Sequence, residues 1–76
     1  MAPAAPALSL AEKRKLQVMR VQLALTGLGI YAGAVDGELG VETKEALRRF
    51  QRIKGESESG LMTTETLNAL GVPATQ

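Results

Sequence analysis

The sequence predicts an all-α fold, a compact three-helix bundle, and three observations predict it. Apolar residues recur at helical spacing in two long segments, ending near Thr26 and Lys54, and in a short one ending at Leu70. Helix-start and helix-stop residues bracket each segment. The stretch GELGVETKEAL at 37–47 is also echoed by GLMTTETLNAL at 60–70, 23 residues further on. Gly37/Gly60, Glu42/Glu65, Thr43/Thr66, Ala46/Ala69 and Leu47/Leu70 are identical pairs, which makes an internal turn–helix pseudo-repeat.

The first helix starts at Ser9. Ser9-Leu10-Ala11-Glu12 is a capping box, in which the Ser9 hydroxyl accepts from the Glu12 N–H and the Glu12 carboxylate reaches back. Leu16, Met19 and Leu23 recur along the helix as its core seam, widened by Val18, Val21 and Leu25. Gly27 and Gly29 stop it. LGIYAGAVDGELG, residues 28–40, then forms a Gly-rich loop between helices 1 and 2, with Asp36-Gly37 as a turn and Ile30, Tyr31, Val35 and Leu39 pinning it down.

The second helix runs from about Val41 to Lys54. Thr43, Ala46, Leu47, Phe50 and Ile53 share one face, to which Lys54 adds its stem, and Gly55 ends the helix. ESES is a polar bridge. Thr63 caps a third helix over about Thr64–Leu70, closed by Gly71 and Pro73. In both repeat copies an acid in the first turn, Glu42 or Glu65, meets the positive end of the helix dipole, worth roughly 0.3–1 kcal/mol. The repeat is first a packing device. The domain is expected over residues 9–72, between an Ala/Pro-rich tail at 1–8 and a short tail at 73–76.

Composition narrows the function. With 76 residues the chain is one domain at most, and with no Cys and no His it has neither a disulfide framework nor a Cys/His zinc site. A net charge of +1 gives little basis for nucleic-acid binding. KEALRRFQRIKG superficially resembles a recognition helix, but the loop before it is far longer than the 3–4 residues of a helix-turn-helix. No nucleophile–base pair is evident, because Ser9, Ser57 and Ser59 sit at a cap and in the bridge. Asp36, Glu38 and Glu42 lack calcium-loop spacing. The expectation is a non-enzyme with no cofactor and no metal. No apolar run is long enough to span a membrane, and MAPAAPALSLAEKRK does not read as a secretion signal, since its charges follow the apolar stretch.

Between Val21 and Val72 the chain resembles the peptidoglycan-binding domain of the three-helix type. The resemblance rests on an ordered set: Gln22, Leu25, Leu28-Gly29, Tyr31, Gly33, Asp36-Gly37, Gly40-x2-Thr43-x2-Ala46, Phe50-Gln51, Gly60 and Thr66-Leu67-x2-Leu70. Val21 replaces the usual Leu and Ile30 a common aromatic. Glu56 and Glu58 stand where apolar residues normally anchor the bridge, which weakens packing there or opens that surface to a partner. The resemblance implies a module that binds while a separate domain cuts. It also implies peptidoglycan (glycan and stem peptide) as partner and a periplasmic or cell-wall location, with a cytoplasmic one left open.

Such a ligand calls for carboxylate and amide donors and one sugar-stacking ring. The candidates are Tyr31 as an exposed ring; Lys44, Arg48 and Gln51 along one flank of the second helix; and Asp36 shaping a groove wall or capping its own turn. Arg49 is assigned to scaffold through pairing with Glu45 four residues earlier. The alternative function is a protein-interaction module, docking through the long first helix, with its Lys13-Arg14-Lys15 cluster and exposed Val18, or through the Glu56/Glu58 bridge.

Overall fold

The computed structural model describes residues 8–73 and contains three helices: α1 (Leu10–Gly27), α2 (Val41–Lys54) and α3 (Thr64–Leu70). Of the expected tails at 1–8 and 73–76, all but Leu8 and Pro73 lie outside the described residues. α1 packs against both other helices.

Local chemistry sets each boundary. Both arms of the Ser9/Glu12 capping box are formed. Thr63 caps α3 by accepting from the Thr66 N–H at 3.2 Å. α2 and α3 end on Gly55 and Gly71 in the left-handed conformation, at φ 72° and 74°, which costs glycine nothing. α1 ends differently. Leu28 closes it in right-handed geometry, and Gly29 then takes φ 76°.

One apolar core joins the three helices: Val21, Leu25, Tyr31, Ala46, Leu47, Phe50, Leu67 and Val72, with Ile30, Leu39, Met62 and Leu70 packed against it. Phe50, Leu25 and Leu47 are fully buried, each contributing about 1.5–3 kcal/mol of transfer free energy.

The seam of α1 is not the expected one. Its inward residues are Gln17, Val18, Val21, Gln22 and Leu25, whereas Leu16 and Leu23 remain 39% and 58% exposed. Apolar residues occupy two opposite faces of α1, and the sequence reading took the outer one as the seam. Val18, expected on the surface, is buried. Ile53, expected on the core face of α2, is 69% exposed, and Lys54 sets its ammonium 5.9 Å from the Phe50 ring.

Two buried glutamines organise the bundle. Gln22 on α1 and Gln51 on α2 are fully buried. The Gln22 amide donates to Asp36 Oδ1, the Glu38 carbonyl and Thr43 Oγ1, each at 3.0 Å, while its oxygen accepts from the Gly37 N–H at 3.0 Å. The Gln51 amide donates to the Leu61 carbonyl at 2.9 Å, Thr66 Oγ1 at 3.1 Å and Ser59 Oγ at 3.4 Å, while its oxygen accepts from the Gly60 N–H at 2.9 Å. Asp36/Ser59, Gly37/Gly60, Glu38/Leu61 and Thr43/Thr66 all keep the 23-residue offset. The repeat therefore extends beyond a turn and a helix. Each copy is a helix with a central Gln, a glycine turn clamped by it, and a following helix whose Thr completes the clamp. α2 serves both copies.

The acidic bridge is satisfied internally. Glu56 accepts from Thr66 Oγ1 at 2.6 Å, next to the Gln51 clamp, and Glu58 pairs with Arg52 at 2.8 Å. Both acids thus have partners within the domain where apolar anchors were the usual residues. They replace apolar anchoring by hydrogen bonding.

Candidate functional site

The two halves differ in one respect that matters for binding. Gln22 reaches Gly37 across 15 residues of sequence, whereas Gln51 reaches Gly60 across nine. The first half thus carries six additional residues, and the extra length brings in Ile30 and Tyr31. The scaffold of the second half closes without them.

That extra loop and the first two turns of α2 enclose a solvent-open cleft of about 430 Å³. Ile30, Tyr31, Ala32 and Gly33 form one wall; Val41, Glu42, Glu45, Ala46 and Arg49 form the other. Glu42, Ala46 and Arg49 follow at i, i+4 and i+7, so they line one stripe of α2 with the small Ala46 as floor. Gly33 lets the walls meet. A methyl group there would stand 2.6 Å from a Glu42 carboxylate oxygen and 2.6 Å from the Tyr31 hydroxyl. Next to it, Tyr31, Val41 and Glu42 also border a second recess of about 400 Å³ that reaches Asp36 and Glu38.

The expected site residues do not converge. Tyr31 is 6% exposed and belongs to the core; its hydroxyl donates to the Ala34 carbonyl at 2.6 Å and takes a long bond from the Gln22 amide at 3.5 Å. It lines the cleft as a buried residue and is not the exposed ring that was expected. Gln51 is fully buried and its amide is engaged in the second clamp. Lys44 and Arg48 lie on the opposite side of α2, beside Gly60: a methyl at Gly60 would stand 3.3 Å from Arg48 Nε and 3.4 Å from the Lys44 carbonyl oxygen. Asp36 caps its own turn, accepting from the Glu38 N–H at 2.9 Å. That bond first, and the Gln22 amide second, hold the Asp36 carboxyl below its ordinary range.

Arg49 is the cation that lines the cleft, and the sequence reading had set it aside. The expected Glu45–Arg49 pair is replaced by Glu45–Arg48 at 3.7 Å, an exposed pair of little energetic weight. No ion pair is formed by Arg49 among the described residues. The i,i+3 and i,i+4 alternatives for Glu45 have equal standing in sequence, and no pattern of residues separates them. The cleft therefore presents one guanidinium, two carboxylates and an apolar rim formed by Ile30 and Val41. Among the described residues no group of three or more His, Cys, Asp or Glu is placed to hold a metal ion.

The arrangement is a small helical scaffold with a cleft between the Tyr31 loop and α2. The chain belongs to the family described as putative peptidoglycan binding domain, whose model matches residues 14–70. It is 42% identical over 53 residues to the N-acetylmuramoyl-L-alanine amidase CwlM of Mycobacterium tuberculosis, an alignment covering 70% of this chain and 13% of that protein. No solved structure matches the chain. No helix among the described residues is long and apolar enough to cross a membrane.

Proposed function

We propose that the domain anchors the polypeptide carrying it to bacterial cell-wall peptidoglycan, through the cleft between the Tyr31 loop and α2. The supporting observation is the asymmetry of the duplicated scaffold. Two halves hold together by the same clamp, and the longer loop of the first half forms one wall of this cleft.

In this reading Arg49 supplies a planar pair of donors to a stem-peptide carboxylate. Glu42 and Glu45 accept from amide or amino N–H groups of the peptide, and Ile30 and Tyr31 pack against its apolar parts. The domain itself performs no chemistry. Where the longer protein cuts the wall, as the name of the mycobacterial relative states for that protein, the cutting belongs to another domain, and this one raises the local concentration of substrate. The corresponding location is the wall-facing side of the envelope.

Cosedimentation with purified sacculi tests the proposal. The wild-type chain should pellet with sacculi at low salt. Arg49→Gln should lose most of that binding, whereas Lys44→Gln, on the other side of α2, should retain it. Wild-type protein left in the supernatant would overturn the proposal.

A further inference from the structure

The outer face of α1 carries an apolar stripe that the fold does not use. Leu16 and Leu23 are 39% and 58% exposed, with half-buried Met19 between them. At i, i+3 and i+7 they form one continuous ridge pointing away from the core.

The internal repeat supplies a control for this ridge. Gln22 and Gln51 are equivalent and 29 residues apart. The same offset relates Lys15 to Lys44, whose carbonyl oxygens lie against the clamped glycines Gly37 and Gly60, 3.2 and 3.4 Å from where a methyl would stand. In that register Leu16, Met19 and Leu23 correspond to Glu45, Arg48 and Arg52. The equivalent positions of the other scaffold helix carry solvated charge, and Glu45 and Arg48 even pair with each other. The scaffold therefore does not require apolar residues there, and contiguous exposed apolar residues mark contact surfaces.

We infer that the Leu16–Met19–Leu23 ridge docks a protein partner whose apolar helix or groove is edged with carboxylates. The charges around the ridge specify the edge. Arg20 is the i+4 neighbour of Leu16 and the i−3 neighbour of Leu23. Lys15 flanks Met19 on the other side, with its stem packed against Gly37. The acid near the ridge, Glu12, is held in the Ser9 capping box. A second copy of α1 fits poorly, because antiparallel pairing about Met19 sets Arg20 close to its own copy. The surface is separate from the cleft and is independent of the peptidoglycan reading.

The test uses the full 76-residue chain and two synthetic amphipathic helices with the same leucine ridge, one flanked by glutamates and the other by lysines. Binding is read by fluorescence anisotropy of labelled peptide and by ¹H–¹⁵N shifts. The glutamate peptide should bind at least tenfold more tightly than the lysine peptide, weaken with added salt, and shift Leu16, Met19, Arg20 and Leu23. Leu16→Glu combined with Leu23→Arg, the residues α2 carries at these places, should lower its affinity at least tenfold while the helical circular dichroism is kept. Leu23→Ala, which preserves helix propensity, should lower it severalfold. Equal affinity for both peptides, or shifts confined to the cleft, would overturn the inference. So would concentration-dependent dimerisation that buries this face, or binding to anionic phosphatidylglycerol vesicles without affinity for the glutamate peptide.

Discussion

Gln22 and Gln51 perform the same task 29 residues apart: each is fully buried, and each clamps the N–H of a left-handed glycine while reaching a threonine on the next helix. Gly37 stands at φ 76° and Gly60 at φ 71°. A buried amide this well supplied with partners fixes register, because an apolar side chain of the same size would leave the glycine N–H unpaired.

Gln51→Met is therefore expected to destabilise the domain by about 1–3 kcal/mol, the cost of one buried donor left without a partner. A urea titration checks this. The midpoint should fall with an unchanged slope, since the surface exposed on unfolding stays the same.

The clamped glycines should tolerate substitution less well than a free one. Gly29 and Gly60 both have positive φ, so alanine at either costs about 1–2 kcal/mol in backbone strain. At Gly29 nothing lies within 4 Å of the added methyl, whereas at Gly60 it meets Arg48 and the Lys44 carbonyl. Gly60→Ala should melt at a lower temperature than Gly29→Ala.

Acid should weaken the first clamp. Asp36 is held below its ordinary range by the Glu38 N–H and by Gln22, so its folded value lies below its unfolded one. Its contribution is complete above the unfolded value and is lost as pH falls through the folded one. The loss thus occupies the acidic limb, below the ordinary aspartate range. Asp36→Asn keeps an acceptor for the Glu38 N–H and should flatten that limb in a series of thermal melts against pH. The counterpart in the second clamp, Ser59, does not titrate there.

Much of this fold was legible in the sequence. The Ser9/Glu12 box, the Thr63 cap and the glycines closing α2 and α3 are local signals, and the start of α1, the end of α2 and both ends of α3 follow from them. The clamps were not legible, because Gln22 and Gln51 lie outside the aligned copies and the intervening lengths differ by six residues. A buried glutamine also looks like any polar surface residue until its partners arrive from another segment. The α1 seam was misread because a helix with leucines on two faces has no unique apolar side. The cleft was less legible. The Gly-rich loop and Tyr31 within it are visible in sequence, but periodicity alone gives no way to tell that the loop crosses on the Glu42–Arg49 side of α2 and not on the Lys44–Arg48 side.

The choice of cation gives a direct contrast in binding. Arg49→Gln should reduce affinity for soluble muropeptides about tenfold, the loss expected for one charge-assisted contact of about 1.4 kcal/mol. Lys44→Gln should change it little. Isothermal titration at low salt separates the two.

The most direct measurement is a ¹H–¹⁵N titration of the wild-type chain with soluble muropeptides. Shifts gathered at Tyr31, Ala32, Gly33, Glu42 and Arg49, with the Lys44–Arg48 flank unmoved, are the predicted result. A folded spectrum that does not move at millimolar ligand, or one that moves only beside Gly60, would contradict the account.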